Sequence, residues 1–276
     1  MLRKLVGMWI DTHCHLDAAE FDTDRDEVVA RSRAADVGMW VMPAGGLDDA
    51  ESARRLAARY DAAYAIGMHP LWLDGAQADD LDRMREMVGA ACADSRFVAV
   101  GEIGIDLVEG GATARQETFY REQLRIARDY DLPVIVHVRQ SADLLLKYLR
   151  RIEVPGGIVH AWNGSEQQAA QLVARGFKLG FGGALTYSGS RRIRRHAAGL
   201  PDEAWVLETD APYIPPQWLR VDGVAQRNEP AELQRIAAEF ALLRDATAAE
   251  LSARNRANAC AALPRLAALL AARSAE

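Results

Sequence analysis

The segment Ile10-Asp11-Thr12-His13-Cys14-His15 contains two histidines separated by a single residue. It follows an apolar, β-branched run and is typical of the end of a strand. Successive side chains of a strand point to opposite faces, so His13 and His15 are expected on one face and Cys14 on the other. Two imidazoles on one face supply half of a metal site. The spacing alone is equally compatible with two unrelated histidines, so further ligands are needed.

Residues that could complete such a site follow later apolar runs of the chain. In chain order, the candidates are His13, His15, His69, Glu102, His137, His160 and Asp210. They include five of the six histidines, whereas His196 lies in a predicted basic helix. Histidines scattered by chance would fall mostly in helices and connections. Imidazole and carboxylate ligands suit zinc, manganese or similar divalent ions better than calcium, and this set is large enough for two ions sharing a bridging ligand.

Short apolar strands and longer helices alternate along the chain and would bring these residues together. Eight strands are predicted, ending near Ile10, Met42, Ile66, Val100, Val136, Val159, Phe181 and Leu207. Helices are predicted over 25–35, 48–60, 79–93, 115–130, 141–151, 165–175, 190–198 and 229–243, and from 247 to the end. Apolar strands that are each followed by a helix indicate a parallel sheet buried on both faces.

Eight such units in 276 residues favour an α/β fold of the (β/α)₈ TIM-barrel type, a single domain over residues 1–276 with extra C-terminal helices. The alternative is an open doubly wound sheet. That fold would place a glycine-rich phosphate turn after the first strand, where this chain has His13-Cys14-His15. In a barrel, groups at the carboxyl ends of the strands converge, which is where the candidate ligands fall.

Composition narrows the classes of function. The formal charge of −6 and pI near 5.6 argue against a protein that binds nucleic acid through bulk charge, although a local basic groove remains compatible. Cys14, Cys92 and Cys260 show no Cys-x-x-Cys spacing, so neither a disulfide framework nor a cysteine zinc site is predicted. We expect neither a signal peptide nor a run long enough to span a bilayer, and therefore a cytoplasmic protein without a membrane partner.

Several ordered motifs make the chain resemble the TatD-type metal-dependent hydrolases, a branch of the amidohydrolase-like barrels that includes deoxyribonucleases. The motifs are Asp11-Thr12-His13-Cys14-His15, Gly67-Met68-His69-Pro70, Gly101-Glu102-Ile103-Gly104-Ile105-Asp106, Pro133-Val134-Ile135-Val136-His137-Val138-Arg139, Glu208-Thr209-Asp210-Ala211-Pro212-Tyr213 and Arg227-Asn228-Glu229-Pro230. The resemblance implies that His13, His15, Glu102 and Asp210 hold one metal ion. It also implies that Glu102, His137 and His160 hold a second ion, with Glu102 bridging.

Two segments depart from the family pattern. The segment His160-Ala161-Trp162-Asn163-Gly164 stands where the family commonly has His-Cys-Phe-Ser-Gly, and Leu107 replaces a frequent aromatic residue after Asp106. Neither change removes an implied ligand. Both lie in loops above the site, so they bear on substrate preference rather than on the chemistry.

Asp210 is the favoured general base, because a strand-end carboxylate on a metal can also accept a proton from water. Its alternative role is a helix N-cap before Ala211. Glu208 shares the face of Asp210 by the period of two and is interpreted as a supporting or packing residue. Asp11 has the phase to orient an imidazole from below.

Substrate contacts are less specified. His69 is predicted at the mouth of the site, with a structural role beside Pro70 as the alternative, and Arg139 would bind a phosphate unless it forms an ion pair at the rim. The basic run 191–196 could hold a nucleic-acid backbone, but a solvated helix face is the favoured interpretation. Loop aromatics that could stack on unpaired bases or plug the barrel are Trp72, Trp162, Tyr187, Tyr213 and Trp218.

Three functions compete at this point. The leading hypothesis is a divalent-metal-dependent phosphodiesterase, a 3′-5′ exonuclease-like deoxyribonuclease that trims single-stranded DNA ends with two Zn, Mn or Mg ions. The second is a metal-dependent hydrolase of another bond, such as an amide or an aminoacyl ester, since loops set the substrate on this type of barrel. A binding protein without catalysis is the third, and the complete ligand set argues against it.

Overall fold

Eight parallel strands form one sheet in chain order, and a helix follows each of them. The computed structural model describes residues 8–111 and 113–275. The strands β1 to β8 are Trp9–Asp11, Val37–Pro43, Ala63–Ile66, Phe97–Asp106, Val134–Arg139, Gly157–Val159, Phe177–Phe181 and Trp205–Leu207. Each strand pairs in parallel with the next, from β1 through β8. The predicted (β/α)₈ barrel is confirmed. Leu5 and Val6, which belong to the apolar run that precedes His13 in the sequence, lie outside the described residues.

The helices surround this barrel. The described α-helices α1 to α10 are Arg25–Ala34, Leu47–Tyr60, Asp79–Ala91, Thr113–Asp129, Ala142–Leu149, Glu166–Val173, Arg191–Gly199, Leu233–Arg244, Ala248–Ala262 and Pro264–Ala275. Short 3₁₀ helices occupy Ala19–Phe21, Pro70–Trp72, Gly183–Thr186, Gln217–Leu219 and Pro230–Glu232, and an antiparallel hairpin pairs β9 (Arg220–Val221) with β10 (Val224–Ala225). None of the described helices is long and apolar enough to cross a membrane.

The C-terminal helices close one end of the barrel. The sequence predicts one continuous helical stretch from Thr247, but α9 ends at Ala262 and α10 starts at Pro264. A proline fits the first turn of a helix, where no backbone donor is needed, and disrupts a helix interior. Leu263, Leu266 and Leu270 are buried with barrel-interior residues of β1 to β6 and β8. The open end of the barrel is therefore the one at the carboxyl ends of the strands.

Hydrogen bonds join β1 to β8 and complete the barrel. The backbone nitrogen and the Oγ1 of Thr12 donate to the carbonyl oxygen of Leu207 at 3.2 and 3.0 Å. Beneath them, Asn255 of α9 donates to the Ile10 carbonyl at 2.7 Å and accepts from the Leu207 nitrogen at 2.8 Å. This β1–β8 seam fixes the two chain segments that continue toward His13 and Asp210.

Two strands extend further than the sequence predicts. The predicted fourth strand ends at Val100, but β4 continues to Asp106, and β5 continues to Arg139. Glycine permits the close pairing, because a Cβ on Gly104 would lie 2.1 Å from the His137 carbonyl oxygen. The extension places Glu102 and Asp106 on one face of β4, next to β5.

Candidate metal centre

The structure brings all of the implied ligands together at the open end of the barrel. His13 and His15 follow β1, Glu102 lies within β4, and His137 lies within β5. His160 directly follows β6, and Asp210 lies three residues after the end of β8. Their side chains are buried or nearly so, and those of His15 and His137 each remain 14 % exposed. The side chains form two groups that meet at Glu102.

The first group faces Oε2 of Glu102. His13 Nε2 lies 3.1 Å and His15 Nε2 lies 3.7 Å from that oxygen. Oδ1 of Asp210 lies 3.4 Å from His13 Nε2 and 3.5 Å from His15 Nε2, and the two Nε2 atoms are 3.2 Å apart. The four side chains thus point one nitrogen or oxygen atom each at a common point.

The second group faces Oε1 of the same carboxylate. His137 Nδ1 lies 3.0 Å and His160 Nε2 lies 2.8 Å from Oε1, and these two nitrogens are 3.2 Å apart. His69 Nε2 is 3.4 Å from Oε1. The two oxygens of Glu102 therefore each serve a different cluster of imidazoles, as a bridging carboxylate would.

These separations fit divalent ions. Nitrogen and oxygen ligands about 2.0–2.1 Å from an ion lie roughly 2.8–3.4 Å from one another in octahedral or tetrahedral sites. The donor atoms of both groups are spaced at 2.8–3.7 Å. Imidazole nitrogens and carboxylate oxygens are also the donor set preferred by zinc and similar ions. The residues present therefore fit the binding of divalent metal ions.

The electrostatics of the site also favour cations. The burial of Glu102 would by itself raise the pKa of its carboxyl, but the imidazoles of His160 and His13 hold that pKa well below its usual range. Burial opposes protonation of His160 and His15, yet Glu102 raises the pKa of His160 to about 10 and Asp210 raises that of His15 to about 9. Burial lowers the pKa of His13 to about 4. The carboxylates therefore hold protons on two imidazoles, and a bound cation would displace those protons.

His137 is held by a buried carboxylate that the sequence interpretation left without a role. Its Nε2 lies 3.0 Å from Oδ2 of Asp106, while Oδ1 of Asp106 accepts from the backbone nitrogens of Val108 and Glu109 at 2.8 Å each. Because the Asp106 carboxylate can only accept, a neutral His137 carries its proton on Nε2, and the lone pair of its Nδ1 faces Glu102. Asp106 lies four residues after Glu102 on the same face of β4, so the period of two could have identified it had the strand been extended.

Asp11 lies against the main chain rather than against an imidazole, so the expected orienting contact is wrong. Its Oδ1 accepts from the backbone nitrogens of His13 at 3.3 Å and Thr209 at 3.0 Å, and its Oδ2 accepts from Thr209 Oγ1 at 2.5 Å. Burial raises the pKa of Asp11 to about 7. Asp11 therefore links the segments that carry His13 and Asp210 across the β1–β8 seam.

Glu208 lies behind His160, in the supporting position that its strand phase indicates. Its Oε1 accepts from the backbone nitrogen of Ala161 at 2.6 Å and lies 3.7 Å from His160 Nδ1. Among the described residues, His160 Nδ1 and Glu208 Oε2 are both buried without a hydrogen-bond partner. Burial raises the pKa of Glu208 to about 8.

Asp210 precedes a turn, not a helix, so the N-cap alternative is wrong. Its own carbonyl accepts from the backbone nitrogen of Tyr213 at 2.7 Å, and its backbone nitrogen donates to the His13 carbonyl at 2.8 Å. Its φ of 56° lies in the left-handed region, which is uncommon outside glycine and concentrates at functional sites. The buried side-chain amide of Asn228 donates to the carbonyls of Thr209 at 2.8 Å and Tyr213 at 2.9 Å. Asn228 thus supports the segment that presents Asp210, a role that its motif alone did not reveal.

A cavity of about 1720 Å³ opens above the two groups. It exceeds the roughly 300–1,000 Å³ typical of small-molecule pockets, so it has room for part of a polymer. His15, His69, Glu102, His137, His160 and Asp210 all reach it. Arg139 also lines it, but its Nη1 lies 2.7 Å from Oε1 of Glu109 and 3.9 Å from Oδ2 of Asp106, so the structure shows the rim ion pair.

The loop aromatics divide between the cavity and the core. Trp72 and Tyr213 line the cavity and are 64 % and 45 % exposed, and Tyr213 lies edge-on to His15 at 5.6 Å. Trp162 is buried at 1 % exposure. The Tyr187 hydroxyl donates to the Pro215 carbonyl, and Trp218 Nε1 donates to Glu232. Two of the five aromatics are therefore placed to meet a substrate.

The basic run at the start of α7 is also divided. Arg192 lines the cavity and donates to the Asn163 carbonyl, whereas Arg194 donates to the Leu185 carbonyl and Arg195 lies 3.8 Å from Glu166. His196 is buried, with Nε2 2.9 Å from the Gly164 carbonyl oxygen. The run mainly anchors α7, and Arg192 reaches the cavity.

A parallel barrel whose open end gathers imidazoles and carboxylates defines the class of metal-dependent hydrolases. The family model for TatD-related DNases matches residues 10–264, and the chain belongs to this family. It is 36 % identical over 251 residues to the uncharacterized metal-dependent hydrolase YjjV of Escherichia coli K12, covering 90 % of this chain and 95 % of that one. It is 35 % identical over 260 residues to the 3′-5′ ssDNA/RNA exonuclease TatD of Cronobacter sakazakii, again covering 90 % and 95 %.

Solved structures agree with this assignment. The crystal structure of YjjV, a TatD homologue from Escherichia coli K12, matches with a TM-score of 0.86 at 34 % identity, covering 95 % of this chain and 99 % of that one. A TatD family hydrolase from Entamoeba histolytica matches with a TM-score of 0.80 at 21 % identity, covering 93 % and 98 %. At that lower identity the likeness shows the fold alone.

Proposed function

We propose that this TatD-family metal-dependent hydrolase is a deoxyribonuclease that removes nucleotides from single-stranded DNA ends in the 3′-5′ direction. The observation that supports it most is the division of Glu102 between two groups of ligand atoms, beneath a cavity large enough for a strand end. A relative at 35 % identity named as a 3′-5′ ssDNA/RNA exonuclease supports the same class of substrate. A single domain over residues 1–276 and a cytoplasmic location stay predictions.

The ligand assignment is part of this proposal. His13, His15 and Asp210 would hold one divalent ion with Oε2 of Glu102, and His137 and His160 would hold a second with Oε1. When bound, zinc, manganese or magnesium ions at these positions would activate water at neutral pH and stabilise the charge that develops on a phosphoryl group. Asp210 would accept the proton that water gives up. Its carboxylate borders the cavity, and its pKa, although burial would raise it, is lowered by His15 and the other imidazoles, which supports an ionised carboxylate.

His69 is proposed to contact the substrate rather than to bind metal. Its Nδ1 accepts from the backbone nitrogen of Leu71 at 3.2 Å, so a neutral His69 carries its proton on Nε2. Burial lowers the pKa of His69, which favours that neutral form. Nε2 then donates toward Glu102, and in the proposed complex it would donate to a phosphate oxygen in the cavity instead. Arg139 would bind a phosphate group in place of its exposed ion-pair partner Glu109.

The proposal is tested on labelled single- and double-stranded DNA with a panel of zinc, manganese and magnesium, alongside small phosphodiester and amide substrates. We expect processing of single strands from one end, and an Asp210→Asn protein that keeps its metals but turns over slowly. Full turnover by that variant would remove Asp210 as the base. Rapid amide hydrolysis without DNA cleavage would instead establish the second candidate, a hydrolase of amide or aminoacyl ester bonds.

A further inference from the structure

A second groove lies on the outer wall of the barrel, between α4 and α5. It has a volume of about 390 Å³ and is lined by Arg121, Arg125, Arg128, Lys147, Tyr148, Arg151 and Ile152. Positions 121, 125 and 128 are four and three residues apart and share one face of α4. Positions 147 and 151 are four apart across the end of α5. Cationic side chains therefore border this α4–α5 groove on both sides.

The α4–α5 groove carries more positive than negative charge. Glu122 pairs with Arg121 at 2.9 Å and with Arg125 at 2.8 Å. The other two carboxylates are Asp129, 2.6 Å from Arg128 and 2.9 Å from Arg85 outside the groove, and Glu117, 2.7 Å from Lys147. Five cations thus face three carboxylates on a chain whose net charge is −6. Exposed ion pairs of this kind contribute little energy each, so a phosphate backbone can replace them.

The α4–α5 groove runs away from the cavity. The loops that precede α4 and α5 line the cavity through Glu109 and through residues 139–141, so both helices start at its rim. With about 1.5 Å of rise per residue, Arg121 lies about 12 Å and Arg128 about 22 Å along α4 from its start. The α4–α5 groove therefore starts about 12 Å along α4 from the rim where Arg139 lies.

The opposite rim of the cavity is unfavourable for phosphate. Asp17, Glu20, Asp22 and Asp49 line the cavity beside β1 and β2, and Asp22 pairs with Arg25 at 2.6 Å. The arginines that line the cavity, Arg139 and Arg192, follow β5 and β7 instead. Asp106, Glu109 and Asp143 also line the cavity near α4 and α5, but Arg139 lies among them, whereas no arginine or lysine of the described cavity lining stands beside the four carboxylates of the first side. A polyanion therefore meets a lining cation only on the sides of β5 and β7.

We propose that the α4–α5 groove binds the phosphate backbone of the single DNA strand whose end occupies the cavity. This inference rests on the proposed deoxyribonuclease function, since that function supplies the strand. The groove would hold nucleotides several positions from the scissile bond and so increase affinity for long strands without touching the reacting atoms.

The test is a charge reversal in the groove with a matched control. In the metal-loaded, full-length protein, Arg125→Glu/Arg128→Glu/Arg151→Glu changes three exposed groove residues. The control Arg54→Glu/Arg55→Glu/Arg83→Glu makes the same change of net charge on α2 and α3, where Arg54 pairs with Glu51 as Arg125 pairs with Glu122. Fluorescence anisotropy on the Asp210→Asn background compares labelled strands of roughly 4 and roughly 20 nucleotides over a salt series.

We expect the groove variant to bind the long strand roughly 10- to 100-fold more weakly and to lower the slope of log affinity against log salt by about 2, that is, about 0.7 for each of three phosphates. The short strand and the control variant should stay near the parent. If both variants bind the long strand equally weakly, or if neither binds it more weakly than the parent, the proposed role of the groove is wrong. A protein that does not cut DNA but binds long strands through the groove would refute the proposed function alone.

Discussion

The two groups of the candidate metal centre are supported by different kinds of contact. The first group, with His13, His15 and Asp210, depends on the main chain of the β1–β8 seam, where Asp210 donates to the His13 carbonyl and Asp11 joins His13 to Thr209. The second group depends on individual side chains. Asp106 contacts Nε2 of His137 at 3.0 Å, and Glu208 lies 3.7 Å from Nδ1 of His160.

This difference separates stability from metal affinity. Contacts that hold the first group also close the barrel, so removing them costs free energy of unfolding. Contacts behind the second group set the orientation and tautomer of single imidazoles, so removing them should alter one ion while the fold persists. Substitutions can therefore tell the two groups apart.

The largest effect is expected where the groups meet. Glu102→Gln keeps the size of the side chain and one oxygen atom, but it removes the negative charge and replaces the other ligand oxygen with an NH₂ group that cannot bind a cation. The ion that faces the NH₂ group should be lost, the other should bind more weakly, and hydrolysis should fall by more than the roughly 100-fold that a supporting residue costs. Elemental analysis and the rate of hydrolysis check this. Glu109→Gln, at the exposed partner of Arg139, is the control that should keep both ions, and two bound ions in Glu102→Gln would contradict a shared ligand.

The next effect should be confined to the second group. In Asp106→Asn, Oδ1 can still accept from Val108 and Glu109, but the amide would face Nε2 of His137 and shift the imidazole proton to Nδ1. Affinity for the second ion should fall roughly 10- to 100-fold, with the first ion retained and the thermal midpoint nearly unchanged. Calorimetric titration of metal into the stripped protein measures both sites. Unchanged affinity at both would rule out orientation of His137 by Asp106.

The sequence could predict the barrel and the convergence of the ligands because both follow from strand period and strand order. It could not predict which atoms face each other, because that depends on where each strand ends. The sequence interpretation ended the fourth strand at Val100 and so missed that Glu102 and Asp106 share one face. In the structure, β4 continues for six more residues, and its glycines permit the close pairing with β5. Likewise, Asp11 has the phase to reach an imidazole, but its contacts go to the main chain across the seam.

The sequence also could not predict which loop residues are buried. Trp162 and Trp72 both follow strand ends, yet Trp162 is buried beside His196 and Trp72 is exposed at the cavity. Loop position alone does not distinguish a plug from a contact surface, since that outcome is set by which helix packs against the loop.

A smaller effect should appear in the support of the first group. Asn228→Ala removes an amide that donates to the Thr209 and Tyr213 carbonyls and leaves those groups without that donor. We expect a loss of about 2 kcal/mol in the free energy of unfolding, measured with urea, because buried unpaired carbonyls are costly. Asn163→Ala, at an exposed position of the cavity, is the control and should change stability little. Stability equal to that of the parent would show that the seam does not depend on Asn228.

The smallest effect is expected at the ion pairs that Asp24, at the start of α1, forms with Arg227 and Arg31, and it depends on pH. Asp24 accepts from Arg227 at 2.6 Å and Arg31 at 3.1 Å, and these arginines, Arg227 first, lower the pKa of its carboxyl from 3.8 to about 2. Since folding lowers the pKa, the stabilisation is present above pH about 4 and disappears as the pH falls toward 2. Partly exposed pairs contribute at most about 1 kcal/mol, so Asp24→Asn should cost no more than that at neutral pH. Urea unfolding at a series of pH values should show the free energies of unfolding of the parent and the variant converging in acid. If their difference stays constant down to pH about 2, the charge of Asp24 does not couple the Arg227 segment to α1.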